Sequence, residues 1–571
     1  MERRLLYAIA LMIGIMILSN VIFPPVERPL EPGIPGDETT ASPQAPAGGE
    51  EPEPSGAERA AEEMVAALAE PEEMEVPGQE EAPAPRAGET VIVRSGLYEY
   101  RFDTRGARLV GATMLEHENF ASGGHLGANV ELIRPDDAIL TYGVTLRGDT
   151  VSLASVVFDA SATRLDVTNG PAELTFEAPV GQVTFDVTYR FQPDDYRIEA
   201  SGGLRGLGEV GHALLIGLGR GVELNEAVPQ EDRRARALVT RSRSGAISAE
   251  RLGGVDDGES VPAAGGPFSW VASKSKYWLA ALVTPPNSPG VGGVILRGIA
   301  EEDAAVMQAT LPVPAGSEGF EYVAYVGPQD FERLQAVGQE LHNVNPYGWR
   351  WLRWFIRPFG NLIVAVLIWM HESFALAYGW VLILFGVASR IVLFPLYQIS
   401  MRQQMKQMAM QPEVKQLQER YKSDAQRLQQ EQMKLYKEHG VNPLGGCLPM
   451  LVPLPILITL FFVFQNTIEF RGVPFLWLAD LSLRDPLFIV PALMGGSMLL
   501  LAWITQRGME TSGQMKMVSY VLPVVFTFFF ANLAAGLNLY YTASNIASLP
   551  QQLYLSRERR KAQPAASRKN S

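Results

Sequence analysis

Residues 378–397 read YGWVLILFGVASRIVLFPLY, an apolar run that contains a single charged residue, Arg390. A helix needs roughly 20 apolar residues to cross a bilayer, so this run is long enough to span one. A cation inside such a helix costs about 2.5–3.5 kcal/mol on insertion scales. The run therefore predicts a transmembrane helix in which Arg390 either serves the function of the protein or reaches the aqueous interface as a snorkelling side chain.

Further apolar segments place most of the predicted membrane part in the C-terminal third of the chain. An additional segment at the N-terminus, residues 1–25, has Arg3 and Arg4 before the apolar stretch Leu5–Phe23. A cleaved signal peptide is the alternative, but no small-x-small cleavage site follows, so we expect a retained anchor. The five later spans are predicted at 378–397, 447–468, 487–504, 518–533 and 537–555.

The distribution of basic residues predicts the topology. Six crossings place both termini in the cytoplasm, together with the loop 398–442, which holds eight Lys/Arg, and the tail 557–571, which holds six basic residues and one acidic residue. A further span at Phe359–Met370 would move that loop and tail outside, against the positive-inside rule. We therefore expect residues 344–372 to form an amphipathic helix at the membrane interface.

The acidic charge of the chain is concentrated in one segment. The formal net charge of the 571 residues is −14, and the stretch Glu27–Glu89 alone has 17 acidic and 3 basic residues, which also gives −14. This stretch is rich in Pro, Gly and Ala, and has little to bury. Residues 26–88 are predicted to be a disordered linker, with an acidic partner-binding segment as the alternative.

Residues 89–343 lie outside the cytoplasm in this topology and alternate with a period of two. Apolar side chains occupy every second position from Val183 to Phe191, which is typical of a strand with one buried face. Gly-rich breaks separate similar segments. The pattern predicts a large antiparallel β-sandwich with a short helix near Gln329–Gln339.

No catalytic signature stands out in this sequence. Its six histidines show no metal-ligand spacing, and it contains no Gly-x-Ser-x-Gly, P-loop or dinucleotide fingerprint. We expect no enzymatic activity, no catalytic residue, no metal or cofactor, and no DNA partner. The outer domain is expected to bind or scaffold, and a glycan-binding or sugar-processing module is an alternative for that domain alone.

The polar loop 398–442 predicts a helical hairpin. It is rich in Gln, Lys and Met, which favour helix, and Lys422-Ser423-Asp424 is a plausible turn. Four methionines offer a soft surface for varied apolar partners, or else pack against the paired helix or lipid: Met401, Met405, Met408 and Met410.

Three strings together resemble one family. They are SRIVLFPL at 389–396, NPLGGCLP at 442–449 and GLNLYYTASN at 536–545. In order and spacing they are similar to the YidC/Oxa/Alb family of membrane protein insertases. In the outer domain, SKYWLAAL at 275–282 and YVGP at 325–328 also resemble the Gram-negative members of that family, which carry a large periplasmic domain.

The resemblance implies a fold and a location. The expected protein is a multi-domain protein of the bacterial inner membrane, with an N-terminal transmembrane anchor (1–25), a periplasmic antiparallel β-supersandwich (89–343) and a C-terminal core of five transmembrane helices (373–556) carrying a cytoplasmic helical hairpin. The family's outer domain is similar to sugar-mutarotase folds.

The resemblance also implies a function. Members insert and fold nascent membrane proteins, alone or beside the Sec translocon, and the basic hairpin and tail suit contact with the ribosome or targeting machinery. That positive charge alternatively serves only to set the topology. The groove residues it implies are Arg390, Asn538, Tyr541, Thr542 and Asn545, and the apolar path along which a substrate slides into the lipid bilayer comprises Leu460, Phe461, Phe462, Phe526 and Phe529.

One position departs from the family pattern, and one alternative function stays open. Six residues after Cys447, relatives often carry a polar Gln that contributes to the groove, whereas this chain has Pro453. The polar lining of that helix is thus in question. A transporter or channel that holds an anionic solute at Arg390 is the alternative function, although the sequence lacks the paired internal repeats expected of one.

Overall fold

A computed structural model describes residues 88–121, 127–208, 210–300, 304–317, 319–345, 353–395, 398, 410–422, 424–439, 454–506 and 513–562. Several predicted features lie outside these ranges: the anchor, the linker up to residue 87, Pro453, the last nine residues of the tail, and the methionines 401, 405 and 408. The described chain consists of a β-rich part followed by a helical part.

Within the described residues, twenty strands form the β-rich part. They are β1 (Thr90–Arg94), β2 (Tyr98–Asp103), β3 (Arg108–Glu118), β4 (Asn129–Ile133), β5 (Thr141–Leu146), β6 (Asp149–Ser152), β7 (Asp159–Ala160), β8 (Arg164–Asp166), β9 (Ala172–Val180), β10 (Val183–Phe191), β11 (Arg197–Arg205), β12 (His212–Gly217), β13 (Ala237–Ser242), β14 (Ile247–Arg251), β15 (Ser260–Pro262), β16 (Phe268–Lys274), β17 (Trp278–Val283), β18 (Gly293–Gly298), β19 (Ala305–Val313) and β20 (Phe320–Pro328).

The strands pair into three sheets. A nine-stranded sheet has the order β14-β13-β16-β17-β20-β11-β10-β9-β7, a six-stranded sheet the order β15-β18-β19-β12-β5-β6, and a five-stranded sheet the order β4-β3-β2-β1-β8. The pairing is antiparallel except between β1 and β8, which run parallel. The sequence predicted a purely antiparallel domain, and the structure differs at this one strand pair. Alternation along a strand identifies its buried face, but it does not identify the neighbouring strand or its direction.

The core of the β-rich part follows the alternation seen in the sequence. Along β10, the apolar residues at every second position from Val183 to Phe191 are buried. Tyr142 connects the sheets at the centre, since its hydroxyl lies 2.7 Å from that of Tyr189 and 2.5 Å from that of Tyr322. Burial raises the pKa of all three phenols, so they stay neutral and hydrogen-bonded.

Ten α-helices lie within the described residues. They are α1 (Pro229–Ala235), α2 (Phe331–Val337), α3 (Arg353–Phe374), α4 (Tyr378–Val392), α5 (Gln411–Arg420), α6 (Ala425–Glu438), α7 (Leu454–Asn466), α8 (Ile489–Gln506), α9 (Gly513–Phe530) and α10 (Ala535–Ala562). Helix α2 confirms the short helix expected near Gln329–Gln339, and the side chain of Asp330 caps it by accepting from the amide of Arg333. Helices α5 and α6 are the two predicted arms of the hairpin.

By length and composition, one described helix, α8, is sufficiently apolar to cross a membrane by itself. Helices α3 and α4 meet that test only as a pair, and a bend of 119° separates them. Helix α3 exposes large apolar side chains such as Leu362 and Trp369 while it buries Val364 and Leu367. It is apolar on two faces, one packed against the bundle and the other exposed.

The helical part packs around its own apolar core. Helix α10 contacts both α4 and α8, α8 also contacts α9, and α3 contacts α7. The core includes Leu367, Leu382, Phe464, Met494 and Leu537, contributed by five different helices. Helix α10 runs beyond the predicted segment 537–555 and therefore presents both an apolar portion and a basic end.

Candidate functional site

Arg390 lies in the last turn of α4 and is directed at α10. Its side chain is half-buried, and Nε donates to the carbonyl oxygen of Ser544 at 3.1 Å and to the Ser544 hydroxyl at 2.8 Å. The neighbouring Ser389 hydroxyl donates to the Gly386 carbonyl at 2.9 Å and lies 3.4 Å from the hydroxyl of Tyr540. The guanidinium is thus held at a defined position between two helices.

Gly386 explains why α4 and α10 come so close. It precedes Arg390 by four residues, so both residues share a helix face. A Cβ at position 386 would lie 3.0 Å from the Tyr540 carbonyl oxygen and 3.2 Å from the Ala543 Cβ. The missing side chain lets the backbones approach, and it brings Arg390 within reach of Ser544.

The predicted polar residues of α10 form a different face of that helix. Asn538, Thr542 and Asn545 are buried. The Asn545 amide donates to the Ser497 hydroxyl of α8 at 3.0 Å, and that of Asn538 donates to the Phe530 carbonyl at 2.9 Å. The Thr542 hydroxyl donates to the Asn538 carbonyl at 2.8 Å. Asn538 and Asn545 thus connect α10 to α9 and α8, whereas the Thr542 hydrogen bond stays within α10.

The structure therefore does not gather the five predicted groove residues around one point. Successive helical residues are rotated by about 100°, so Ser544 faces Arg390 while Asn545, the next residue, faces α8. Tyr541 is half-buried, and its ring packs 5.4 Å from that of Phe530. Ser544 and Ser497 are the polar contacts that the sequence reading missed, although Ser544 stands inside the string that carries the family resemblance.

The predicted apolar path is partly exposed. Phe461, Phe462 and Phe526 are half-buried, and Phe529 is 39% exposed. Leu460 is fully buried in the bundle core, so it does not contribute to an exposed surface. The exposed apolar surface instead extends to Phe528, which is 73% exposed.

A second polar cluster joins the helical part to the β-rich part. Arg471 follows α7 and forms a salt bridge of 2.9 Å with Glu226, and both side chains are less than 10% exposed. The guanidinium lies 5.1 Å from the ring of Trp278 and 4.3 Å from that of Phe120, and it donates to the Glu118 carbonyl at 2.8 Å. A buried cation is thus surrounded by an anion, two aromatic faces and a carbonyl oxygen.

Glu469 lies beside this cluster. One carboxylate oxygen accepts from the amide of Phe331 at 3.3 Å, at the start of α2. Burial, reinforced by the nearby charge of Asp330, raises the pKa of Glu469 to about 7. The His117 ring lies 5.2 Å from that of Trp278, and burial and the Arg471 charge lower the pKa of His117 to about 4. The junction between the two parts thus contains two groups with opposite pKa shifts.

Two family descriptions match the chain. The family described as YidC periplasmic domain matches residues 90–362, and the family described as 60Kd inner membrane protein matches residues 369–563. The first covers the three sheets and reaches into α3, whereas the second begins near the end of α3 and covers the rest of the bundle. The boundary between the two families therefore falls within α3.

Individual relatives cover most of the chain. A membrane protein insertase YidC from Chlorobium phaeovibrioides is 30% identical over 496 residues, which is 82% of this chain and 83% of that protein. One from Syntrophus aciditrophicus is 28% identical and spans 98% of this chain and all of that protein. A solved structure of an active YidC insertase aligns over 82% of this chain and 95% of its own, at 19% identity and a TM-score of 0.34. The chain belongs to the family of YidC membrane protein insertases.

Proposed function

We propose that this insertase uses Arg390 to receive the extracytoplasmic tail of a nascent membrane protein as that tail crosses the membrane. The observation that supports this role most is the fixed position of the guanidinium, which Ser544 holds through two hydrogen bonds within an apolar helix pair. A cation placed at such a depth without a function would be costly. The substrate class is single-span membrane proteins with short acidic tails.

The energetic scale fits this role. Two opposite charges about 4 Å apart attract by about 4 kcal/mol at an effective dielectric constant of 20, before desolvation is counted. The insertion penalty of one acidic side chain is similar, at about 2.5–3.5 kcal/mol. A transient pair with Arg390 would therefore offset most of that penalty. The step requires no nucleotide, because transfer of the apolar part of the substrate into lipid supplies the driving force.

The other predicted groove residues receive different roles in this proposal. Tyr541, which is half-buried, would contact the tail directly. Asn538, Thr542 and Asn545 are buried, so they would reach a substrate only when α8 and α10 separate. The apolar segment of the substrate would leave along Phe461, Phe462, Phe526 and Phe529 into the bilayer.

The proposed topology has six crossings with both termini in the cytoplasm and the β-rich part in the periplasm. The chain's basic loop and tail support it, as does the pair α3–α4, whose 119° bend suits a helix that lies at the interface and then turns into the bilayer. The helical hairpin and the tail would then contact the ribosome or targeting machinery, and the protein would work alone or beside the Sec translocon.

The test compares Arg390→Ala and Arg390→Lys in reconstituted vesicles with two substrates that differ only in tail charge. We expect Arg390→Ala to reduce insertion of the acidic-tailed substrate about tenfold or more and to leave the neutral-tailed one nearly unchanged. Arg390→Lys should keep part of the activity, because the charge is retained without the planar donor geometry. Arg190→Ala, which removes an exposed arginine of β10, is the control. Equal insertion of both substrates by Arg390→Ala would refute the proposal.

A further inference from the structure

A cavity of about 540 Å³ lies where the β-rich part meets the extracytoplasmic ends of the bundle. Its walls come from three places: the β-rich part, the end of α7 with the loop that follows, and the turn between α9 and α10. In the proposed topology these helix ends lie at the outer face of the membrane. The cavity therefore sits at the depth of the outer-leaflet headgroups.

Charges of both signs line the cavity. Lys276 is 7% exposed and its ammonium lies 2.8 Å from the carboxylate of Glu231, which is half exposed. Asp480 and Arg484 come from the loop between α7 and α8. Arg484 is exposed and forms no ion pair with any of the residues that the structure describes. Two cations and two anions therefore face the same space.

Apolar side chains line the rest of the cavity and continue from its mouth. Phe461, Leu533 and Leu537 contribute to the wall. Trp477, which also lines the cavity, is 38% exposed, and outside the cavity Leu476 is 69% exposed and Phe488 is 50% exposed. Apolar side chains this exposed, with a Trp among them, are typical of a segment that enters the membrane interface.

One buried carboxylate holds the Trp477 side chain and the start of α8 in place. Asp485 accepts from the Trp477 indole at 3.2 Å and from the amides of Leu487 and Val490 at 3.0 and 2.7 Å. The tight turn at Leu476-Trp477 is closed by two backbone hydrogen bonds between Phe475 and Leu478. The loop thus fixes the Trp477 side chain and the backbone of the turn that carries Leu476.

We propose that this cavity binds one outer-leaflet phospholipid with an ethanolamine headgroup. Lys276 and Arg484 suit the phosphate, Glu231 and Asp480 suit the ammonium, and the apolar wall with Leu476 and Trp477 suits the acyl chains. Among the described residues Glu231 already has Lys276 as its counterion, so a lipid with a phosphate and no amine would leave only Asp480 unpaired of the two carboxylates. A choline headgroup carries no N–H, so it cannot donate hydrogen bonds to them.

Such a lipid would fill the junction between the β-rich part and the bundle, next to Phe461 on the proposed exit path. It would seal the outer end of that path while the substrate moves laterally into the bilayer. This lipid site requires the loop 469–486 to lie outside the cytoplasm, but it does not require Arg390 to bind substrate.

The test uses the delipidated full chain in detergent, titrated with phosphatidylethanolamine, phosphatidylglycerol or phosphatidylcholine and followed by native mass spectrometry. We expect one molecule of phosphatidylethanolamine to be retained in preference to the other two. Arg484→Gln should weaken that binding about tenfold, the usual size for a charged hydrogen bond. Leu476→Asn should weaken it several-fold, because it removes an apolar side chain proposed to contact the acyl chains. The turn itself should persist, since asparagine tolerates the positive φ of 56° at this position. Arg190→Gln, which changes an exposed side chain of β10, should change nothing.

Two further arms identify the occupant. Soluble glycerophosphoethanolamine should fail to compete, because it lacks the acyl chains. A photoreactive residue in place of Leu476 should crosslink to lipid while a nascent chain is being inserted. Equal retention of the three lipids, unchanged binding by Arg484→Gln, or crosslinking to the nascent chain instead of lipid would overturn the proposal. The insertion activity of the Arg390→Ala variant is measured in a separate experiment. Evidence against the lipid site would therefore not be evidence against the proposed role of Arg390.

Discussion

Gly386 and Arg390 act together at the scale of single residues. The first lets two helices approach, and the second uses that approach to reach Ser544. Neither residue would place a guanidinium between α4 and α10 by itself. Single residues also matter at the junction with the β-rich part, where burial shifts the pKa values of Glu469 and His117 in opposite directions.

Replacing Gly386 should disturb this geometry. Gly386→Leu places a side chain against the Tyr540 carbonyl, and overpacking of this kind costs about 1–3 kcal/mol. We expect a lower thermal midpoint and a loss of insertion activity for acidic-tailed substrates. Gly496→Ala in α8 is the matched control, since a Cβ there would meet nothing within 4 Å. If Gly386→Leu behaves like this control, the close approach of the two helices has no importance.

Glu469 should make the stability of the junction depend on pH. Its folded pKa of about 7 lies above the unfolded value, so its contribution is fully present below about pH 4.5 and is lost as the pH rises through 7. His117, with a lowered pKa of about 4, acts in the opposite sense and loses its contribution as the pH falls from 6.5. The difference between the wild type and Glu469→Gln isolates the first effect.

We expect Glu469→Gln to stabilise the folded protein more at pH 8 than at pH 5, measured by thermal unfolding at both values. Glu259→Gln, in an exposed loop of the β-rich part, serves as the control and should shift the midpoint equally at both. A difference between wild type and Glu469→Gln that is independent of pH would show that the carboxyl titrates at its ordinary pKa.

At the scale of elements, polar side chains connect helices that are otherwise apolar. The Asn545–Ser497 hydrogen bond joins α10 to α8. Such bonds between membrane helices average about 0.6 kcal/mol in double-mutant cycles. This contact is therefore a modest link, which is consistent with the proposal that α8 and α10 separate when a substrate binds.

A double-mutant cycle that combines Asn545→Ala with Ser497→Ala should give a coupling free energy of about 0.6 kcal/mol. The free energies of unfolding are measured by reversible unfolding in mixed micelles. Ser548 supplies the comparison, because its hydroxyl donates to the Asn545 carbonyl within α10 and not across the interface. A cycle of Ser548→Ala with Ser497→Ala should give no coupling. A coupling free energy of zero for the Asn545 pair would mean that the two side chains do not support each other.

At the scale of the whole molecule, the buried ion pair Arg471–Glu226 joins the β-rich part to the bundle. Ile468, which follows α7, also packs into the apolar core of the β-rich part. Strand β17 is buried along its full length, and Arg471 lies over the ring of its first residue, Trp278. The two parts are thus joined by buried contacts in addition to the covalent link.

Removing one partner of this pair should weaken the junction strongly. Arg471→Ala leaves Glu226 buried without its counterion, which typically costs about 3–5 kcal/mol. We expect a lower midpoint for the whole protein and faster proteolysis between the two parts. Arg190→Ala removes an exposed pair with Glu173 inside the β-rich part and should cost no more than about 1 kcal/mol. Similar effects of the two variants would contradict a structural role for the junction.

Local sequence patterns were sufficient to predict several secondary-structure elements and the family of this protein. The alternation along β10, the short helix α2 and the helical hairpin were predictable because strand and helix periods are written in neighbouring residues. The three strings around Arg390, Cys447 and Asn545 likewise sufficed for the family, because their residues stand close together in the chain. The sequence alone also showed that Arg390 is the single charged residue of an apolar run.

The tertiary structure alone decided which groups meet. Arg390 and Ser544 are 154 positions apart, and Arg471 and Glu226 are 245 apart. No periodicity in the sequence relates such positions, since they are brought together by packing of whole helices and sheets. The same reason explains why Asn545 faces α8 while Ser544 faces Arg390: a rotation of about 100° per residue separates neighbours, and only the arrangement of the surrounding helices determines what each one contacts.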